Sequence, residues 1–180
     1  MPTYFLHLRY WYAAFACVLT LSACAPTYNW REVHGTSTPF TVLMPAKPTT
    51  ESRAINLSEL PVTMTMNVAE VNGAMFAVGT AETPNSTQAA TAIKAMKNAL
   101  INNIHGTIKS EKSSAPLSAN LTTIDIEATG AAVRTGGEQR RLFARFVARE
   151  KWVYQVIVTG NDSAVTQDAV DTFFSSFKPN

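Results

Sequence analysis

Residues 62–80 read VTMTMNVAEVNGAMFAVGT, and the alternation in this stretch decides the fold class. Val62, Met64, Met66 and Val68 alternate with Thr63, Thr65 and Asn67, and Phe76, Val78 and Thr80 resume a period of two beyond Asn72-Gly73. Such a period sends successive side chains to opposite faces of a strand, and Asn-Gly suits the positive φ of a tight hairpin turn. The stretch therefore reads as an antiparallel hairpin whose register depends on its loop. A two-residue turn at Asn72-Gly73 sets Val71 opposite Ala74 and puts the apolar sets on opposite faces. A three-residue loop, Val71-Asn72-Gly73 with Gly73 left-handed in a G1 bulge, sets Val68 opposite Phe76 and Met66 opposite Val78. The three-residue loop is expected.

Working outward, Ala89, Ile93, Met96, Leu100 and Ile104 recur at three- and four-residue spacing and predict a helix over 86–105 with one face buried on a sheet. Asn85 with Gln88 resembles a capping box, Gly106 suits a left-handed stop, and Lys94 and Lys97 fall on the solvated flank. Strands are predicted over 107–111, 121–128, 139–150 and 151–159, and a terminal helix over 163–177 points Val170, Phe173, Phe174 and Phe177 inward and stops at Pro179. Before the hairpin, Phe40 to Met44 reads as a strand stopped by Pro45, and Arg53 to Leu57 as a short edge strand. The fold class is α/β in the broad sense, specifically α+β: an antiparallel sheet flanked by helices on both faces.

The chain has 180 residues with 46% hydrophobic and 16% charged, too apolar for intrinsic disorder, and its net charge of +2 does not suit a nucleic-acid partner. Tyr10 to Leu21 is an apolar run after His7 and Arg9, at about 12 residues too short to span a bilayer. It ends in Leu21-Ser22-Ala23-Cys24, which resembles the lipobox of bacterial lipoproteins. That resemblance implies cleavage between Ala23 and Cys24, diacylglycerol on the Cys24 thiol and lasting attachment to a membrane. Ordinary signal peptidase cleavage and an uncleaved anchor are the alternatives. Removing 23 of the 180 residues leaves 157, one domain in size, and takes Arg9 but no acidic residue, so the charge falls to +1. Cys17 leaves with the signal, and no thiol or disulfide remains. Residues 1–23 are thus expected as signal, 24–38 as acylated Cys and tether with Trp30 docking on the domain, and 39–180 as the domain. Ala25, in place of Asp after the Cys, implies the outer membrane, facing the periplasm.

The order of these elements, with Phe40, Val42, Pro45 and Pro48 at the opening and Phe173, Ser176 and Phe177 at the close, is similar to the PsbP-like family, which includes DcrB-type lipoproteins. The similarity spans roughly residues 38–178. It implies the sandwich of sheet and helices but carries no shared active site or ligand.

Candidate chemistry is sparse. His34 and His105 lack metal-ligand spacing, and His105 suits the negative end of a helix dipole. No Gly-x-Ser-x-Gly elbow occurs, and Gly130, Gly136 and Gly137 lack phosphate-loop spacing. Asp125 and Glu127 share one strand face, where pairing with Arg141 and Arg145 across a hairpin is expected over catalysis. Arg141, Arg145 and Arg149, with Arg140 and Lys151 nearby, form a stripe that suggests an anion-binding face for lipid headgroups or an acidic protein, although Phe143 and Val147 interrupt it.

The expected function is that of a non-enzymatic interaction or accessory module of the cell envelope. It is held on the membrane by its lipid, meets an envelope protein partner, and uses no cofactor, no metal and no nucleic acid. The alternative is a module that binds a small amphiphile, an envelope glycan or an anionic lipid, in a pocket lined by Met64, Met66, Met75 and Met96. Met residues at these spacings otherwise form plain core.

Overall fold

The computed structural model describes residues 27–36, 38–57, 59–115, 121–131 and 139–180. The Leu21-Ser22-Ala23-Cys24 motif and the loop over 132–138 lie outside the described residues. In chain order the elements are β1 (Arg31–His34), β2 (Phe40–Met44), β3 (Thr49–Leu57), β4 (Leu60–Val71), β5 (Ala74–Glu82), α1 (Ser86–Asn103), β6 (Thr107–Ser114), β7 (Leu121–Ala131), β8 (Gln139–Arg149), β9 (Trp152–Gly160), α2 (Gln167–Ser176) and β10 (Lys178–Pro179). The fold is α+β. Among the described residues the expected single sheet is two: seven strands in the order β3-β4-β5-β9-β8-β7-β6, and three in the order β1-β2-β10, with every pairing antiparallel.

The hairpin at the centre of the sequence corrects the expected register. Val71 stands opposite Ala74, Ala69 opposite Phe76 and Asn67 opposite Val78, so the turn has two residues. Asn72 at φ 49° and Gly73 at φ 81° take the left-handed pair of angles that matches strand twist. The expectation assumed one shared apolar face, but β5 is buried on both. Phe76 and Val78 enter one core, while Ala77 and Ala81 enter the other. Met66 consequently stands opposite Gly79, and a Cβ at 79 would lie 2.5 Å from the Met66 sulfur. The thioether fills the space that the glycine leaves.

The first core holds α1. Ala89, Ala92, Ile93 and Met96 pack with Val62, Met64, Ile124, Ile126, Leu142 and Phe146. Ala77, Ala81, Ala144 and Ala148 lie in the same core, and these short side chains let the helix approach the sheet closely. Burial of Ile93 and Met96 contributes about 2 kcal/mol each. The Asn85 side chain accepts from the Gln88 amide at 2.9 Å, which confirms the N-cap. At the other end the left-handed residue is His105 at φ 45°, not Gly106. The His105 amide donates to the Asn102 carbonyl and that of Gly106 to Ile101, which together form a Schellman closure. Gly106 is small for another reason: its Cβ would fall 2.8 Å from the Ile104 side chain. Lys97 is not solvated as expected. Its ammonium donates to Glu111 at 2.8 and 2.9 Å, tying α1 to β6.

The second core joins α2 and the small sheet to the alternate residues of β5 and β9. Ala169, Val170, Phe173 and Phe177 meet Phe40, Val42, Met44, Phe76, Val78, Tyr154, Val156 and Val158. The helix is shorter than its sequence pattern, since Thr166 caps it through the Ala169 amide and it ends at Ser176. Pro179 belongs to β10, which pairs with β2. The tether expected over 24–38 is likewise shortened, because Arg31–His34 is β1 on β2. Trp30 does dock, its ring 6.1 Å from Phe76. The edge strand expected over 53–57 begins earlier, at Thr49.

Candidate functional site

The arginine stripe rises from the pairing of β7 with β8. Asp125 stands opposite Arg145 and Thr129 opposite Arg141, so the odd-numbered side chains of both strands share one face. Their alternates, Ile124, Ile126, Leu142, Ala144 and Phe146, are buried under α1. The cross-strand ion pairs read from the sequence are present. Arg145 grips Asp125 with two of its three guanidinium nitrogens, Nε to Oδ1 at 2.8 Å and Nη2 to Oδ2 at 2.9 Å. Arg141 reaches Glu127 at 3.4 Å and approaches Asp162 at 3.8 Å.

The structure adds contacts that no spacing disclosed. The remaining arm of Arg145 donates to the Phe174 carbonyl at 3.2 Å, and its guanidinium lies 5.4 Å from the Phe174 ring. That carbonyl belongs to the last turn of α2, where unpaired carbonyls carry partial negative charge. Arg149 donates to the Pro179 carbonyl in β10, and Arg141 lies 4.8 Å from the Phe143 ring. The three arginines expected as an anion-binding face are thus committed inside the molecule. Arg145 and Arg149 hold the C-terminal helix and strand to β8. Arg140 and Lys151 are also engaged, Arg140 with the Gly73 carbonyl at 3.4 Å and Lys151 with Glu82 at 2.6 Å.

A groove of about 300 Å³ follows this clamp, lined by Lys112, Asp125, Glu127, Arg145, Asp171 and Phe174 among others. Its charges are of both signs, and its carboxylates serve as acceptors within the fold: Asp125 is held by Arg145, Glu127 by Arg141 and Asp171 by the Gln167 side-chain amide. A second groove of about 500 Å³ lies between Pro61, Thr63, Thr65, Glu82, Pro84 and Trp152. It was not foreseen, because its walls come from β4, β5 and β9, and only the pairing brings them together. Thr63 and Thr65, which alternate with the buried residues of β4, line it together with Thr80.

The other candidates are dispersed. His34 bonds Glu32 at 2.9 Å on the exposed surface of β1, His105 ends α1, and Asp125 is held by Arg145. Among the described residues no group of three or more His, Cys, Asp or Glu could hold a metal ion. Met64 and Met96 are buried core, with Met66 and Met75 packed against them, so these methionines fill space under α1. Tyr154 is buried, its hydroxyl donates to the Pro39 carbonyl at 2.9 Å, and burial pushes its pKa up to about 12. Arg149 opposes that rise and Glu150 adds to it. Among the described residues no helix is long and apolar enough to cross a membrane. Compared with known proteins, the chain matches no family model and no curated protein.

Proposed function

We propose that this chain is a bacterial envelope lipoprotein, anchored through an acylated Cys24 to the outer membrane, whose domain acts in the periplasm as a non-enzymatic interaction module. The observation that carries the anchor is the run from Tyr10 to Leu21 followed by Ser22, Ala23 and Cys24. Two or three acyl chains hold a protein on a bilayer for long times, since each buried CH₂ contributes about 0.8 kcal/mol. A contact role is supported by the fate of the chemically capable groups: Asp125, Arg141, Arg145 and Arg149 are engaged in binding the molecule to itself. The finer architecture we assign is the PsbP-like sandwich, a seven-stranded sheet with α1 on one face and α2, with the small sheet, on the other.

The test is a Cys24→Ala variant made in a bacterial host and compared with wild type by membrane fractionation and labelling with a tagged fatty acid. Wild type is expected to take up label, lose its first 23 residues and sediment with membranes. The variant is expected to remain unlabelled and uncut. Label uptake by Cys24→Ala, or cleavage at another bond, would overturn the anchor.

A further inference from the structure

The two edges of the large sheet are built differently. At one end β6 carries a bulge between Ile108 and Ser110, which interrupts its ladder, and Glu111 is taken by Lys97 from α1. Bulges and charged side chains are the usual means of blocking an edge. At the other end β3 runs for nine residues, Thr49–Leu57, in unbroken register with β4. It contains no proline, no lysine and no bulge. Its only charges are Glu51 and Arg53, which cancel.

The direction of its outward hydrogen bonds follows from the register. Leu57 stands opposite Leu60 and closes the hairpin, so the odd residues of β3 exchange their backbone bonds with β4. Val71 opposite Ala74 imposes the same alternation on β4 from its other side. The backbone groups of Thr50, Ser52, Ala54 and Asn56 therefore point outward, away from the sheet.

We propose that this edge pairs antiparallel with β3 of a second copy of the chain, about a two-fold axis normal to the sheet that passes midway between the two Ser52 residues. Ser52 then meets its own symmetry mate, and Thr50 exchanges backbone bonds with Ala54 of the second copy. Glu51 falls opposite Arg53 of the second copy, and Arg53 opposite its Glu51. These two ion pairs occupy the positions between hydrogen-bonded pairs, where opposing side chains come closest. Charge complementarity about Ser52 is what identifies a second copy as the occupant. Within one chain Arg53 Nη2 and Glu51 Oε2 lie 3.2 Å apart with side chains 80% and 70% exposed, an arrangement of little worth that is readily exchanged. The even-numbered face is already ordered, with Thr50 on Asn67 and Ser52 on Thr65 at 2.8 Å. Pairing joins two seven-stranded sheets into one and closes the edge, through a contact in the small, reversible class.

The full chain in density-matched detergent, with micelles in excess, is examined by sedimentation equilibrium as wild type, E51R and R53E. Wild type is expected to self-associate, and each single reversal, which sets like charges opposite each other twice per pair, to weaken association by about tenfold or more. An equal mixture of E51R and R53E is expected to associate as well as wild type does, because each arginine then faces a glutamate. Recovery in the mixture also shows that both variants are folded. A wild type that stays monomeric up to its solubility limit, single reversals without effect, or a mixture that does not recover would each overturn the proposal.

Discussion

Replacing Arg145 by methionine separates a structural clamp from a free cationic surface. Methionine retains most of the apolar length of the side chain and removes the guanidinium. Three interactions go with it. The bidentate pair with Asp125, whose side chains are 30% and 39% exposed, contributes about 0.5–1 kcal/mol, because water still screens it. The bond to the Phe174 carbonyl contributes about 1 kcal/mol, and the guanidinium over the Phe174 ring about 0.5 kcal/mol. The expected loss is about 2 kcal/mol, or a fall in Tm of about 4–8 °C for a chain of this size. Urea unfolding followed by circular dichroism measures it, provided the slope with denaturant is unchanged. Because the clamp ends on the last turn of α2, amides of that helix should also exchange faster with solvent than those of α1. A surface arginine without such partners shifts stability by less than about 0.5 kcal/mol, so a loss that small would refute the clamp.

Tyr154→Phe should cost about 1 kcal/mol at neutral pH, since the Pro39 carbonyl loses its donor. It should also flatten the alkaline limb of the stability profile. In wild type the unfolded tyrosine ionises near 10 while the buried one holds its proton to about 12, so stability falls as pH rises through that window. Parallel urea-stability profiles for the two proteins across it would contradict this account. Gly130→Ala should destabilise by about 1–3 kcal/mol, because the new Cβ would lie 2.6 Å from the Ile104 carbonyl oxygen and the end of α1 would have to move. An unchanged urea midpoint would show that β7 and α1 are not held that closely.

How far the fold was legible can be judged from particular elements. The helix at Ser86 was plain because its Asn85 cap and its apolar stripe agree, and β7 and β8 because Ile124 and Ile126 oppose Asp125 and Glu127. The pairing of those carboxylates with Arg141 and Arg145 followed from one hairpin. The hairpin at Asn72-Gly73 was misjudged by one residue, since alternation within two strands does not reveal that both faces of the second are buried. Lys97 and the end of α2 were misplaced for a related reason: Glu111 and β2 approach them from distant parts of the chain. The candidate site was the least legible, because the groove beside Trp152 exists only once β4, β5 and β9 are assembled.

The sequence by itself determined most of the elements from β2 to α2 and their polarity, because these depend on periods of two and 3.6 residues read along one backbone. Tertiary structure alone decided the division into two sheets, the attachment of Arg145 and Arg149 to the C-terminal segment, and the contrast between the bulged edge at β6 and the open one at β3. Those features depend on which backbone carbonyl or strand lies across from a residue distant along the chain, and that proximity is set by packing both faces of the sheet at once.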